Sequence, residues 1–444
     1  MGNVGEKLKA LRMATGMTQE SLADVAGLSV RAIRDIERGT TERPYRHSLE
    51  SIAAAMGLSE TDANDLIGSV YVRSDARRRR SAGRSRNHRT ERGAVQQEMT
   101  YIPPPLRSFV GRADIMGSLD KLLAGRIPGD FAAALLAGAP GVGKTALALT
   151  WAHRSADRFP HGVVYEDLRG HGPHRPFAHE LVLRRLLRSL GVPDHKLPLN
   201  YEDCSALYQT TLAKRRLLII LDNAATPEQV RPLLTGAPEC LVLATSRNAM
   251  TGLVVRDGVR RFHMSSLTEA ESYELFASVV GKEKTQQEPD VTAALLDMCD
   301  HLPLAVRVLA ERVRNQPSSS IAEVAARLVG TRSLLSIFEM PGDPQSSMRG
   351  ILSWSYDALP VSAVRVFTAL GAVSRMDFTF AEAAKVVEFG ARAEIDDETL
   401  AEALDWLVEA SLLKAKGPGR YEFNRLIWNF AQEKFEESER RIVH

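Results

Sequence analysis

Cysteine is scarce and poorly placed for chemistry. Cys204, Cys240 and Cys299 stand alone, their number is odd and no CxxC pair occurs. They point to buried thiols in a reducing cytoplasm, not to a disulfide frame or a cysteine zinc site. Long apolar runs are missing too, for none approaches the roughly 18 residues of a membrane helix. The opening stretch MGNVGEKLKALRMATG lacks a secretory h-region, and it has no Ser or Thr at position 6 to suit myristoylation. No membrane partner is expected. Neither sign of charge dominates, since 57 Lys+Arg against 55 Asp+Glu leave +2. That small net charge is unevenly spread. Residues 73–92 hold nine arginines against Asp75 and Glu91, so the basic, partner-seeking surface lies near the N-terminal end.

With 444 residues, 44% hydrophobic and 25% charged, the chain is too long for one core and has globular composition. Four domains and a linker are expected. Residues 1–70 show helix-period apolar spacing in about five short segments, with Thr18 and Ser29 placed as N-caps. Residues 71–105 read as a basic flexible linker closed by PPP. From 106 to 265 the texture is α/β. FAAALLAG (131–138), GVVYEDLRG (162–170), LLIILDNA (217–224) and CLVLATSR (240–247) are apolar runs bounded by turns, with helical stretches between them, as a parallel sheet requires. Residues 266–340 read as helical only. Residues 341–444 read as helices followed by a hairpin around Gly-Pro-Gly in LLKAKGPGRYEF (412–423), the outline of a winged helix.

GAPGVGKTALAL (138–149) fits the phosphate loop GxxxxGK[ST], after a predicted strand and before a predicted helix. Gly138, Gly141 and Gly143 let backbone N–H groups curl around phosphate oxygens, and the helix start at Lys144, Thr145 and Ala146 adds positive dipole. Lys144 would reach the β- and γ-phosphates while Thr145 ligates Mg²⁺. Asp222 ends the apolar run LLIIL, where a Mg²⁺-side carboxylate belongs. The next residue, Asn223, cannot take a proton from an attacking water, so at most slow ATPase turnover is expected. Arg247 closes ATSR at the next strand end, in position to touch a γ-phosphate. Slow hydrolysis with a γ-phosphate sensor favours a switch over a motor. The four histidines within HGVVYEDLRGHGPHRPFAH (161–179) fit no metal-ligand spacing.

FVGR (109–112), the phosphate loop, FPHGVVYEDLRGHG (159–172), LLIILDNA, LVLATSR and CDHLPLAV (299–306) occur in the order seen in the NB-ARC switch ATPases of the STAND class. The resemblance covers about residues 102–435 and is nearest to the bacterial regulators. It implies a nucleotide-binding domain, a small helical domain and a winged-helix domain closed around ADP when off, with ATP, ADP and Mg²⁺ as ligands. In such proteins Val110 and Arg112 would flank adenine and Pro303 would pack on the base. The sequence departs from the family at His301, where glycine is usual, and at Asn223, where a second carboxylate is usual. It departs again at Asn424 and Arg425 of YEFNRLIWNFA (421–431). There the family has His-Asp, whose His holds the ADP β-phosphate. Either Asn424 gives a weaker ADP lock, or Arg425 grips the phosphate in its place.

TQESLADVAGLSVRAIRDIERG (18–39) resembles the helix-turn-helix of the XRE/Cro-repressor family. Leu22, Val25, Ile33 and Ile36 supply inward positions, and Gly27 suits the turn. Ser29, Val30 and Arg31 would face base edges, with Arg31 reading guanine, and Arg34 and Asp35 are the next exposed positions. Gln19 and Arg43 would contact phosphates of double-stranded DNA. The arginine run 77–80 would add salt-dependent affinity or act as a solvated tether.

The leading expectation is an ATP/ADP-switched transcription regulator that opens, self-associates and binds an operator in its ATP state. The alternative is a signalling or defence scaffold whose N-terminal module recruits a protein. Relatives usually carry a repeat-rich C-terminal sensor, and only about ten residues follow NFAQEKF here. The chain is then either truncated or served by a separate sensor or effector protein.

Overall fold

The computed structural model describes residues 4–26, 30–38, 49, 52, 53, 55, 56, 58, 102–125, 132–213, 215–234, 239–329, 333–340, 342, 343, 346–390 and 395–443. The chain divides into two compact units, 1–95 and 96–444.

In the first unit α1 (Val4–Ala14), α2 (Gln19–Ala26) and α3 (Val30–Glu37) follow one another. Their helix-period apolar positions converge, with Leu8, Leu22, Ala23, Ile33 and Ile36 buried together with Leu49, Ile52 and Met56. Thr18 caps α2, its Oγ1 accepting from the Ser21 N–H at 3.0 Å. Glu37, at the end of α3, accepts from Arg12 Nε at 2.6 Å and from Gln19 Nε2 at 2.7 Å. One carboxylate thereby ties three helices.

The second unit opens with α4 (Ala113–Ala124) and β1 (Ala132–Gly138), then α5 (Lys144–Ser155) and β2 (Val163–Asp167). There follow α6 (His179–Ser189), α7 (Tyr201–Leu212), β3 (Leu218–Ala224), α8 (Pro227–Val230), β4 (Leu241–Ser246), α9 (Thr251–Asp257) and β5 (Arg260–Met264). The five strands form a parallel sheet in the order β2-β3-β4-β1-β5. Every residue of β1 and β4 is buried, because helices cover both faces of a parallel sheet. One apolar core contains α4 and α5 residues, and a second contains α6 and α7 residues. The three cysteines are buried, and none forms a disulfide.

Helices then dominate: α10 (Glu269–Val280), α11 (Lys282–Gln287), α12 (Pro289–Met298), α13 (Pro303–Arg314) and α14 (Ile321–Val329). The C-terminal region is largely helical as well. It comprises α15 (Met348–Tyr356), α16 (Val361–Leu370), β6 (Asp377–Thr379), α17 (Phe380–Gly390), α18 (Asp397–Glu409), β7 (Lys414–Gly417), β8 (Arg420–Glu422) and α19 (Arg425–Val443). Here β6, β8 and β7 make a small antiparallel sheet beside the helices, and Phe367, Phe378, Phe423 and Phe430 pack ring against ring. The hairpin expected from Gly-Pro-Gly is present. Strands β5 and β6 lie outside the runs legible in the sequence. Among the described residues no helix is long and apolar enough to cross a membrane.

Candidate functional site

The C-terminal edge of the parallel sheet gathers the phosphate loop, the end of β3 and the end of β4. Gly141 (φ 78°) and Gly143 (φ 93°) take left-handed backbone conformations, which side chains with a Cβ rarely accept. They turn the chain from β1 directly into the first turn of α5, which begins at Lys144 with Thr145 and Ala146. A Cβ on Gly138 would lie 2.4 Å from the Met264 carbonyl oxygen, so the loop base is packed too closely for any larger residue.

Lys144 Nζ folds back over the loop and donates to the carbonyls of Gly138 at 2.7 Å and Ala139 at 2.9 Å. Burial, and then the nearby Arg247 cation, pull its pKa down to about 7, against the opposing pull of Asp222. Thr145 Oγ1 donates to both oxygens of Asp222, at 2.8 and 3.1 Å. Two hydroxyls not singled out by the sequence join them: Tyr165 Oη at 2.9 Å and Thr245 Oγ1 at 2.5 Å. Asp222 is buried, and burial raises its pKa while the three hydroxyls oppose that shift. Thr145 and Asp222 in direct contact suit a hard divalent cation, which takes few protein oxygens and completes its shell with water and phosphate oxygens.

Asn223 lies one residue past this carboxylate, at φ 57°, where the pairing of β3 with β4 shifts register. Its N–H donates to Thr245 Oγ1 at 2.9 Å, and its side chain holds the backbone of His171 from both sides. Arg247 is neither surface-solvated nor free. Its Nη1 donates to Ile351 O at 2.6 Å and Ser355 Oγ at 2.8 Å, both on α15. Burial draws its pKa down to about 10.

The remaining expected residues fall around this edge in different ways. Pro303 starts α13 beside the phosphate loop, and the backbone N–H of Leu304 donates to Gly141 O at 3.2 Å. Val110 is half-buried against the core. Arg112 is buried, and its guanidinium is spent on the carbonyls of Val142 at 3.2 Å and Ser265 at 2.6 Å, which bind the loop to the chain after β5. His301, where the family has glycine, takes φ 52° and steadies itself through Nδ1 and Ser272 Oγ at 2.8 Å. Asn424 Oδ1 accepts from the Leu426 N–H at 3.0 Å at the start of α19, and its Nδ2 donates to Asp300. The Arg425 N–H donates to the same Asp300 carboxylate at 3.4 Å.

In the N-terminal unit, Gln19 is engaged with Glu37, Arg34 is exposed and Asp35 is half-buried on α3. Val30 and Arg31 lie at the start of α3, and their side chains fall outside the described residues. Ser29 and Arg43 lie outside them altogether.

Residues 3–66 match the helix-turn-helix domain and residues 118–286 the NB-ARC domain. The chain is 35% identical over 347 residues to the regulatory protein AfsR of Streptomyces coelicolor, covering 76% of this chain and 33% of the relative. It is 33% identical over 331 residues to the regulatory protein AfsR of Streptomyces griseus, covering 74% of this chain and 33% of that relative. The chain therefore spans about a third of the length of the curated relatives it matches. Among solved structures, the Walker-type ATPase of Pyrococcus abyssi shares the fold with a TM-score of 0.51 at 12% identity, over 75% of this chain and 99% of that one.

Proposed function

We propose that this chain, which carries an NB-ARC domain after an N-terminal helix-turn-helix domain, is a DNA-binding transcription regulator governed by bound ATP or ADP. The observation that carries the reading is Arg247. It stands at the end of β4 on the phosphate-loop edge of the sheet, while its guanidinium holds α15 of the C-terminal region. A cation shared in this way cannot serve α15 and a terminal phosphate equally, because each would need the same donor. Lys144 would exchange the Gly138 and Ala139 carbonyls for phosphate oxygens, and Arg247 would exchange Ile351 and Ser355 for the terminal phosphate.

Thr145 and Asp222 would hold Mg²⁺, which supplies charge neutralisation between the outer phosphates. Asn223, committed to His171 and Thr245, offers no base, so the nucleotide would persist as a signal. The domain assignment is a head at 1–70, a linker at 71–105, a nucleotide domain at 106–265, a helical domain at 266–340 and a winged helix at 341–444. Release of α15 would free that last domain, permit self-association and pair the heads on double-stranded DNA. The small antiparallel sheet beside α16–α18 supports the winged-helix assignment.

The test is capture of genomic fragments by full-length protein loaded with ADP or with β,γ-imido-ATP and Mg²⁺. Affinities for one common site differing at least about tenfold, roughly 1.4 kcal/mol of coupling, support the switch. Equal capture in both states refutes nucleotide control of DNA binding, and a Lys144→Ala protein that still responds to nucleotide refutes the site.

A further inference from the structure

His171 follows β2 on a loop pressed against the end of β3. A Cβ on Gly170 would lie 2.3 Å from the Ala225 backbone nitrogen and 2.4 Å from the Asn223 carbonyl oxygen, so the loop has no room to rise. The Asn223 side chain fixes it further. The His171 N–H donates to Asn223 Oδ1 at 3.3 Å, and Asn223 Nδ2 donates to the His171 carbonyl at 2.9 Å. Asn223 is itself bonded to Thr245, Thr245 to Asp222 and Asp222 to Thr145. One hydrogen-bonded series therefore runs from the first turn of α5 to the backbone of His171.

The imidazole at the end of that series is 7% exposed, and its Nδ1 is enclosed with no hydrogen-bond partner. An orphaned buried polar atom is destabilising, and native chains keep few of them. Burial, and then the Arg247 and Lys144 cations, draw its pKa down to about 3, with the Asn223 contact opposing. The ring is therefore neutral near pH 7. The influence of both cations at this ring favours an anion rich in acceptor oxygens as the partner of Nδ1.

We infer that His171 distinguishes a nucleoside triphosphate from a diphosphate, its Nδ1–H donating a hydrogen bond to the terminal phosphate. The inference rests on the reading of residues 138–145 and Asp222 as a nucleotide site. The anion fixes the tautomer, since phosphate oxygens only accept. His171 is then the neutral member of a set whose charged members are Lys144 and Arg247. Its contribution belongs to the third phosphate, because the loop N–H groups already serve the inner ones and Lys144 spans the second and third.

The test is calorimetric titration of the full chain with Mg²⁺-ADP and with Mg²⁺-β,γ-imido-ATP. His171→Ala should weaken triphosphate binding at least about tenfold while diphosphate binding moves less than about threefold. His171→Asn, whose Nδ2 can stand near the position of Nδ1, should recover most of the loss. Equal weakening of both ligands would reduce His171 to a structural residue, and no change in either would remove it from the site. Unaltered protein that binds neither nucleotide would overturn the nucleotide reading itself, and this inference with it. Protein carrying ¹⁵N-labelled histidine gives a readout that needs no substitution. The His171 Nδ1 resonance should move on adding β,γ-imido-ATP and not on adding ADP, and an unmoved resonance overturns the inference.

Discussion

Asn424 Nδ2 donates to the Asp300 carboxylate, joining the start of α19 to the turn that leads into α13. The same side chain accepts the Leu426 N–H, so the cap of α19 and the tie to the helical region are one group. Asp300→Ala removes the acceptor of both Asn424 Nδ2 and the Arg425 N–H and should speed amide exchange in the first turn of α19 at least about tenfold. Asp300→Asn keeps an acceptor and a residue type tolerant of the φ of 49° found there, so it should change exchange little. Equal effects of the two substitutions would show that the bond does not hold α19.

Arg247 and Ser355 separate in the same kind of measurement. Arg247→Ala removes both donations to α15 and should raise exchange across Met348–Tyr356, at a cost of about 2 kcal/mol. Ser355→Ala leaves the bond to Ile351 O and should cost less than half as much. Unchanged exchange in the Arg247 variant would detach the phosphate edge from α15.

Acid should loosen the C-terminal region through Glu433. Its two oxygens accept from Arg349 Nε and Nη2, both at 2.9 Å, and Ser333 adds a third donor. Burial alone would raise its pKa, but these donors hold it below the ordinary 4.5. A depressed carboxylate stabilises the fold above its unfolded value, and that stability goes as pH falls through the folded value. Glu433→Gln should therefore lie well below the unaltered protein in melting temperature at about pH 6 and approach it at about pH 3. Parallel curves would exclude the pair as an acid-sensitive tie.

Glu37 predicts the behaviour of the N-terminal unit. Its side chain is 4% exposed and that of Arg12 is 12% exposed, so Glu37→Ala takes the carboxylate from an enclosed guanidinium that keeps its bond to the Met17 carbonyl at 2.7 Å, and should cost about 2 kcal/mol. Gln19→Ala removes one donor and should cost about 1 kcal/mol. Amide exchange in α1 and α3 reads both. A near-zero effect of Glu37→Ala would reduce the tie to a surface ion pair.

Four of the five parallel strands are legible in the sequence as apolar runs between turn signals: β1, β3 and β4 are central and covered on both faces, and the edge strand β2 still begins with buried Val163 and Val164. Strand β5 escapes the same reasoning. It lies at the other sheet edge and, unlike β2, carries exposed Arg260, Arg261 and His263, which interrupt the run. The motif residues Lys144, Thr145 and Asp222 are legible because phosphate chemistry fixes their spacing or their place at a strand end. Tyr165 and Thr245 are not, since they reach Asp222 across 57 and 23 residues of chain and any hydroxyl in a strand would look the same. His171 is visible only as one of four histidines. Its distinction is the Asn223 clamp, and Asn223 itself reads from sequence as a missing base. Arg247 was expected at the phosphate edge, but no local pattern announces a partner on α15.

The seat of Leu302–Leu304 on the phosphate loop also has a meaning in time. A ribosome makes residues 138–145 before it makes α13, so the Leu304 N–H that binds the Gly141 carbonyl comes from a later segment of the chain. The side chains of Leu302 and Leu304, each within 3.3 Å of where a Gly141 Cβ would stand, are likewise still to come. The contacts that seat the loop therefore need both segments of the chain, and the strands alone cannot supply them.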